Sequence, residues 1–205
     1  IDRKVGLVLK TNIKNNSHVD REYLVTNLKS MLKDYPDRKC KIYLLHSDLS
    51  DGQMTWLYSH PRIKSLINIG HGEGFGLPMF EAAYNELPVI SLGWSGQLDF
   101  LHHNGKNYFA NVKYTLQPVQ REAVWDGVVQ ADSMWAFADQ GSYKMKLRDV
   151  YKKHAKYKRT AKELKNIIKE SFSEEKMFEQ FCNAVYTPDP LMQEWEKTLN
   201  EVEEL

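Results

Sequence analysis

Cysteine is scarce in this chain of 205 residues: Cys40 and Cys182 are the only two, far apart and in no C-x-x-C arrangement. That usage argues against a disulfide framework or a cysteine zinc site, and it reads as reduced thiols in a cytoplasmic protein. Long hydrophobic runs are missing too. No segment approaches the roughly 18 uninterrupted apolar residues of a membrane-spanning helix, and Ile1-Asp2-Arg3-Lys4 is followed by no signal-type apolar stretch. Charge of one sign is also lacking. A formal net charge of +1 removes the whole-chain reason to expect nucleic acid. What remains, 42% hydrophobic and 27% charged residues, suffices for one good core. One domain is expected over 1–187, with a terminal helix over 188–205.

The richest segment is Gly70-His71-Gly72-Glu73-Gly74-Phe75-Gly76-Leu77-Pro78-Met79-Phe80-Glu81. The apolar run Lys64 to Ile69 before it reads as a short buried strand, and Pro78 suits the first helical position because its φ is fixed and its missing N–H costs nothing there. The order is strand, glycine loop, helix. Such a junction aims free N–H groups and the positive end of a helix dipole at one point, which suits phosphate. Glycines at 70, 72, 74 and 76 remove Cβ atoms and permit positive φ and close ligand approach. Two better-known glycine motifs are absent: G-x-G-x-x-G fails at Phe75 or Leu77, and no Gly-Lys-Ser/Thr follows. Glu73 in the loop and Glu81 about one turn into the helix are carboxylates able to accept paired hydrogen bonds from a vicinal diol. A phosphate flanked by two such groups describes a nucleoside diphosphate sugar. The plain alternative is a tight turn with Glu73 solvated and Glu81 favoured by the helix dipole.

Glu73 through Glu81, followed by Ala82-Ala83, resembles the E-x₇-E motif of retaining GT-B glycosyltransferases of family four. The similarity continues through the strand-like Pro88-Val89-Ile90-Ser91 and the small-residue loop Gly93-Trp94-Ser95-Gly96-Gln97-Leu98-Asp99. It departs at Glu86, where that family usually has glycine, and at Asp99, near where glutamate is usual. The resemblance implies a Rossmann-like, doubly wound parallel α/β sheet forming the C-terminal, donor-binding half of a GT-B architecture. It implies that Glu73 reaches the donor sugar at the catalytic centre, that Glu81 holds the ribose hydroxyls, and that Gly74, Phe75, Gly76 and Leu77 line the sugar and diphosphate. Lys10 and Lys14 stand where the family places a basic pair, though with different spacing and no arginine. Amides and lysines then serve in place of a metal, so neither metal nor cofactor is expected. The other GT-B domain, with the carbohydrate or lipid-linked acceptor site and the general base, is expected to be missing or on another polypeptide, leaving this chain poorly active alone. A non-catalytic nucleotide-sugar-binding or assembly module is the alternative function.

Strands are also expected at Val5 to Leu9, Lys41 to His46, Pro88 to Leu92 and Asn107 to Val112, and helices at Ser17 to Lys33 and Gln53 to Ser59. Ligands bind at the carboxyl ends of such parallel strands, where the glycine loop falls. His46, Ser47 and Asp48 read as turn formers with nucleotide-base contact as the alternative. His71 beside the motif either touches sugar or phosphate or bonds to backbone, and the adjacent His102-His103 pair lacks helix-spaced ligand geometry. Residues 113–143 are irregular, with Trp125, Trp135 and Phe137 suggesting a hydrophobic cluster packing an inserted loop, stacking on an acceptor sugar ring being the alternative. Lys144 to Lys169 carries eleven Lys or Arg against two acids and reads as one long solvated helix, peripheral contact with an anionic membrane being the alternative. Ser171 to Glu174 reads as a capping box opening a helix with Met177, Phe178 and Phe181 inward.

Overall fold

The computed structural model describes residues 5–14 and 16–186, together with Met192, Glu194, Trp195, Lys197 and Thr198. The terminal helix expected over 188–205 lies largely outside the described residues. The chain is mixed α/β with parallel strand pairing, and it divides into two compact units, residues 1–56 and 57–205.

In the first unit, β1 (Gly6–Lys10) and β2 (Lys41–Leu45) pair in parallel, with Gly6 opposite Lys41 and Lys10 opposite Leu45. They are joined through α1 (His18–Leu32), whose N-cap Ser17 accepts the Asp20 N–H at 3.1 Å. The Asp20 carboxylate also gathers the chain after β1. It accepts the N–H groups of Ile13 at 3.0 Å and Lys14 at 3.3 Å, and meets His46 Nε2 at 2.9 Å. The Ile13 amide and then His46 hold this carboxyl below the ordinary aspartate range. His46 is thereby engaged within the protein. The helix α2 (Asp51–Ser59) follows, two residues earlier than the sequence suggests.

The second unit is built on β3 (Leu66–Asn68), β4 (Val89–Leu92) and β7 (Ala110–Val112), parallel and in that spatial order. Every residue of β4 is buried, as a central parallel strand requires. Between β3 and β4 runs α3 (Leu77–Tyr84), and after β4 come α4 (Leu98–Leu101) and the two-residue hairpin strands β5 (His102–His103) and β6 (Lys106–Asn107). The strand expected over 107–112 is thus divided. Asn104 and Gly105, both at positive φ, turn the chain into the hairpin, and only Ala110 onward joins the sheet.

Residues 113–139, irregular by sequence, form an antiparallel ribbon of β8 (Tyr114–Pro118) and β9 (Met134–Ala138). Ala136 enters the core with Ile90, Leu92, Ala110, Val112 and Val150. The expected long basic helix is two helices, α5 (Gln140–Lys152) and α6 (His154–Ser171), separated at Lys153 with φ −114° and ψ 34°. Val150 of α5 and, past the break, Tyr157 of α6 both pack at the β4/β7 core, while α6 also buries Ala161, Leu164 and Ile168 and runs against α3.

The last described helix, α7 (Glu174–Val185), is capped by Ser173, which accepts the Lys176 N–H at 3.4 Å. Ser171 cannot open the expected capping box because it still belongs to α6. Phe178 and Phe181 are exposed rather than inward. Phe172, just before the cap, is the aromatic that packs.

Candidate functional site

The loop after β3 begins with a turn made by Asn68, whose Oδ1 accepts the Gly70 N–H at 2.9 Å. Its Nδ2 donates to Glu73 Oε1 at 2.6 Å. The backbone of Glu73 is held from the far side by the loop after β4: its N–H donates to Ser95 Oγ at 3.1 Å, and its carbonyl accepts Ser95 Oγ at 2.7 Å and Gly96 N at 3.1 Å. Two loops at the carboxyl ends of adjacent parallel strands are therefore tied together at Glu73.

The glycines do different jobs. Of the four in the loop, only Gly76 has positive φ, at 88°, and it is the N-cap of α3. A Cβ there would also reach Met79 Cε at 2.7 Å. Gly96 is required for another reason: its Cβ would collide with the Gly74 carbonyl, which is backbone and cannot step aside. Gly74 is the contrast. It is exposed, lacks positive φ, and a Cβ there would meet nothing within 4 Å, so nothing described in the protein demands glycine.

Helix α3 starts at Leu77, so Pro78 is its second residue rather than its first. The N–H groups of Gly74, Phe75 and Gly76 find no acceptor among the described residues, and they stand at the positive end of α3. Leu77 is exposed beside them. Phe75 turns its ring away into a cluster with Phe80, Phe100 and Phe172, at centroid separations of 5.1 to 6.5 Å. Its side chain thus anchors the loop while the residue stays partly exposed.

Glu81 lies in the second turn of α3, half-buried, and its charge acts on the Tyr58 phenol. Burial first, and the Glu81 charge second, push the Tyr58 phenol well above its ordinary range, so it stays neutral. His71 does not stand free. Its Nδ1 donates to the Ala136 carbonyl at 2.9 Å, and its ring stacks on Trp135 at 4.8 Å and 13° and tilts against Phe137 at 4.5 Å. The Ala136 N–H returns to the His71 carbonyl at 3.3 Å, so the ribbon is bonded to the glycine loop. Lys10 closes β1 and Lys14 lies in the chain segment held by Asp20, both in the first unit. His102 Nδ1 is engaged with Asn107 Oδ1 at 2.6 Å.

Sequence reasoning missed Asn68, Ser95, Tyr58 and the role of Trp135. Asn68 carried a signal, a polar residue ending an apolar strand just before glycine; Tyr58 carried none.

No protein-family model matches the chain. Curated Escherichia coli proteins named serotype-specific mannosyltransferase WbdA are 41% identical to it over 66 residues, which is 32% of this chain and 8% of theirs. The chain thus matches only a small part of those relatives. Among solved structures, the pneumococcal O-GlcNAc transferase GtfA in complex with UDP and GlcNAc aligns with 84% of this chain and 36% of that one, at 17% identity and a TM-score of 0.39. The GtfA/B complex aligns with 80% and 36%, at 15% and 0.28. This chain therefore carries glycosyltransferase-like homology over about a third of its length. Among the described residues, no helix is long and apolar enough to cross a membrane.

Proposed function

We propose that the second unit is the donor-binding part of a retaining GT-B glycosyltransferase, with a Rossmann-like sheet, moving a hexose from a nucleoside diphosphate sugar to a carbohydrate or lipid-linked acceptor. The observation that carries the reading is the conjunction at residues 73–81. Three N–H donors without an acceptor among the described residues stand beside an open glycine; Glu73, held by a neutral amide, precedes them, and the half-buried Glu81 follows. In this reading the amides of Gly74, Phe75 and Gly76 receive the diphosphate and stabilise the charge that develops on it as the anomeric bond breaks. Glu73 accepts a hydroxyl of the sugar, and Glu81 accepts the ribose hydroxyls. Neither is assigned as a covalent nucleophile. The general base and the acceptor belong to the other GT-B domain.

Calorimetric titration with UDP, GDP and ADP and with their hexose derivatives tests this reading. Sub-millimolar binding of at least one pair, weakened about tenfold by Glu81→Ala, is expected. No binding at millimolar concentration contradicts it. Donor binding without transfer, after the chain is joined to an acceptor domain, favours the non-catalytic module.

A further inference from the structure

We infer that Asn68 is the positioning residue for Glu73, fixing which of its two carboxylate oxygens is offered to the donor sugar; this rests on the donor-site reading above. The geometry is over-determined. Because Asn68 Oδ1 accepts the Gly70 N–H at 2.9 Å, a flipped amide would set its NH₂ against another donor, so Nδ2 must face Glu73. That group donates to Oε1 at 2.6 Å. With the Glu73 backbone fixed by Ser95 and Gly96, Oε2 is the one side-chain acceptor of Glu73 that has no partner among the described residues.

Gly70 belongs to the same device. A Cβ there would approach Asn68 Oδ1 at 3.2 Å and Glu73 Oε1 at 3.9 Å, crowding the bond between them. The chemistry of the amide matters as well. A lysine or arginine in its place would neutralise Glu73 and compete for both oxygens, whereas a neutral N–H orients the carboxylate and leaves its charge available to a hydroxyl.

Two substitutions test this in the full chain. Asn68→Asp keeps the acceptor for Gly70 but removes the donor and sets a second carboxylate against Glu73; Asn68→Ala removes both bonds. Affinities for the nucleoside diphosphate and its hexose derivative are measured for each. The expected result is a fall of about tenfold in the ratio of hexose-derivative to nucleotide affinity, with the nucleotide itself changed less than about twofold. An unchanged ratio, or equal losses for both ligands, overturns the inference. A ligand-free readout separates it from the donor reading: the Asn68 side-chain amide proton facing Glu73 should be shifted downfield in the NMR spectrum and lose that shift in Glu73→Gln. Its presence in a chain that binds no nucleotide sugar defeats the donor reading and leaves the Asn68–Glu73 clasp standing. Its absence defeats the clasp.

Discussion

Glu73 and Glu86 stand on either side of α3, and the chain treats them in opposite ways. Glu73 is held by one neutral amide at 2.6 Å and keeps an oxygen uncommitted beside an open glycine. Glu86 is held by charge: Lys165 Nζ reaches Oε1 at 3.1 Å, Lys158 Nζ reaches Oε2 at 3.4 Å, and Lys158 also donates to the Glu86 carbonyl at 2.9 Å. Both Glu86 oxygens serve α6, which they clasp to the turn after α3. Glu86 even accepts a left-handed backbone, φ 58°, where the resembled family uses glycine. A carboxylate satisfied by cations is a structural tie; one satisfied halfway by a neutral donor is available for a ligand.

The sharpest break in this comparison concerns the two glycines near Glu73. Gly96→Ala should cost the fold most, with a melting temperature lower by roughly 10 °C or more or no folded protein, because its Cβ meets the Gly74 carbonyl. Gly74→Ala should melt like the parent yet bind the nucleotide sugar about tenfold more weakly, since the space it fills is the proposed ligand's. Equal stability losses in both would show Gly74 to be structural.

The next effect separates the two glutamates. Glu73→Gln should lower transfer by about a hundredfold, measured with the acceptor domain joined, while leaving thermal stability within about 0.5 kcal/mol. Glu86→Ala should do the reverse. It loses two partly exposed ion pairs and keeps the left-handed backbone, so denaturant titration should give a loss of about 1 kcal/mol with donor affinity unchanged. Glu86→Gly should fall closer to neutral, because relief of the backbone offsets the lost pairs.

The smallest effect is in pH. Burial raises the Glu86 carboxyl, but Lys165 and then Lys158 outweigh it and hold the group below its usual 4.5. A depressed folded-state value means that the contribution is present above the unfolded value and is lost as pH falls through the folded one. Acid titration of stability should therefore drop less steeply below about pH 4.5 in Glu86→Gln than in the parent. Superimposable curves would remove Glu86 from the acid response.

The twelve-residue segment was legible because its chemistry is contiguous: glycines, proline and two acids declare a strand-to-helix junction in order. What sequence could not show were partners brought in by the fold. Ser95 and Gly96 reach Glu73 only because β3 and β4 are parallel neighbours, and Tyr58 reaches Glu81 from α2. Of the four loop glycines that permit positive φ, only Gly76 uses it; a Cβ at Gly70 would crowd Asn68 Oδ1 at 3.2 Å, whereas Gly72 and Gly74 have room. The break at Lys153 carries no glycine or proline to announce it. Phe178 and Phe181 were read as inward from helical spacing, which says which residues share a face but not what covers it.

The central claim is that the 70–81 loop receives a nucleotide sugar. Amide hydrogen exchange of the full chain, with and without the hexose derivative that binds best, tests it most directly. The account predicts slowed exchange centred on Gly74, Phe75 and Gly76, with about tenfold more ligand needed for the same protection in Gly74→Ala. Protection confined to other segments, with those three amides unchanged under saturating ligand, would contradict it.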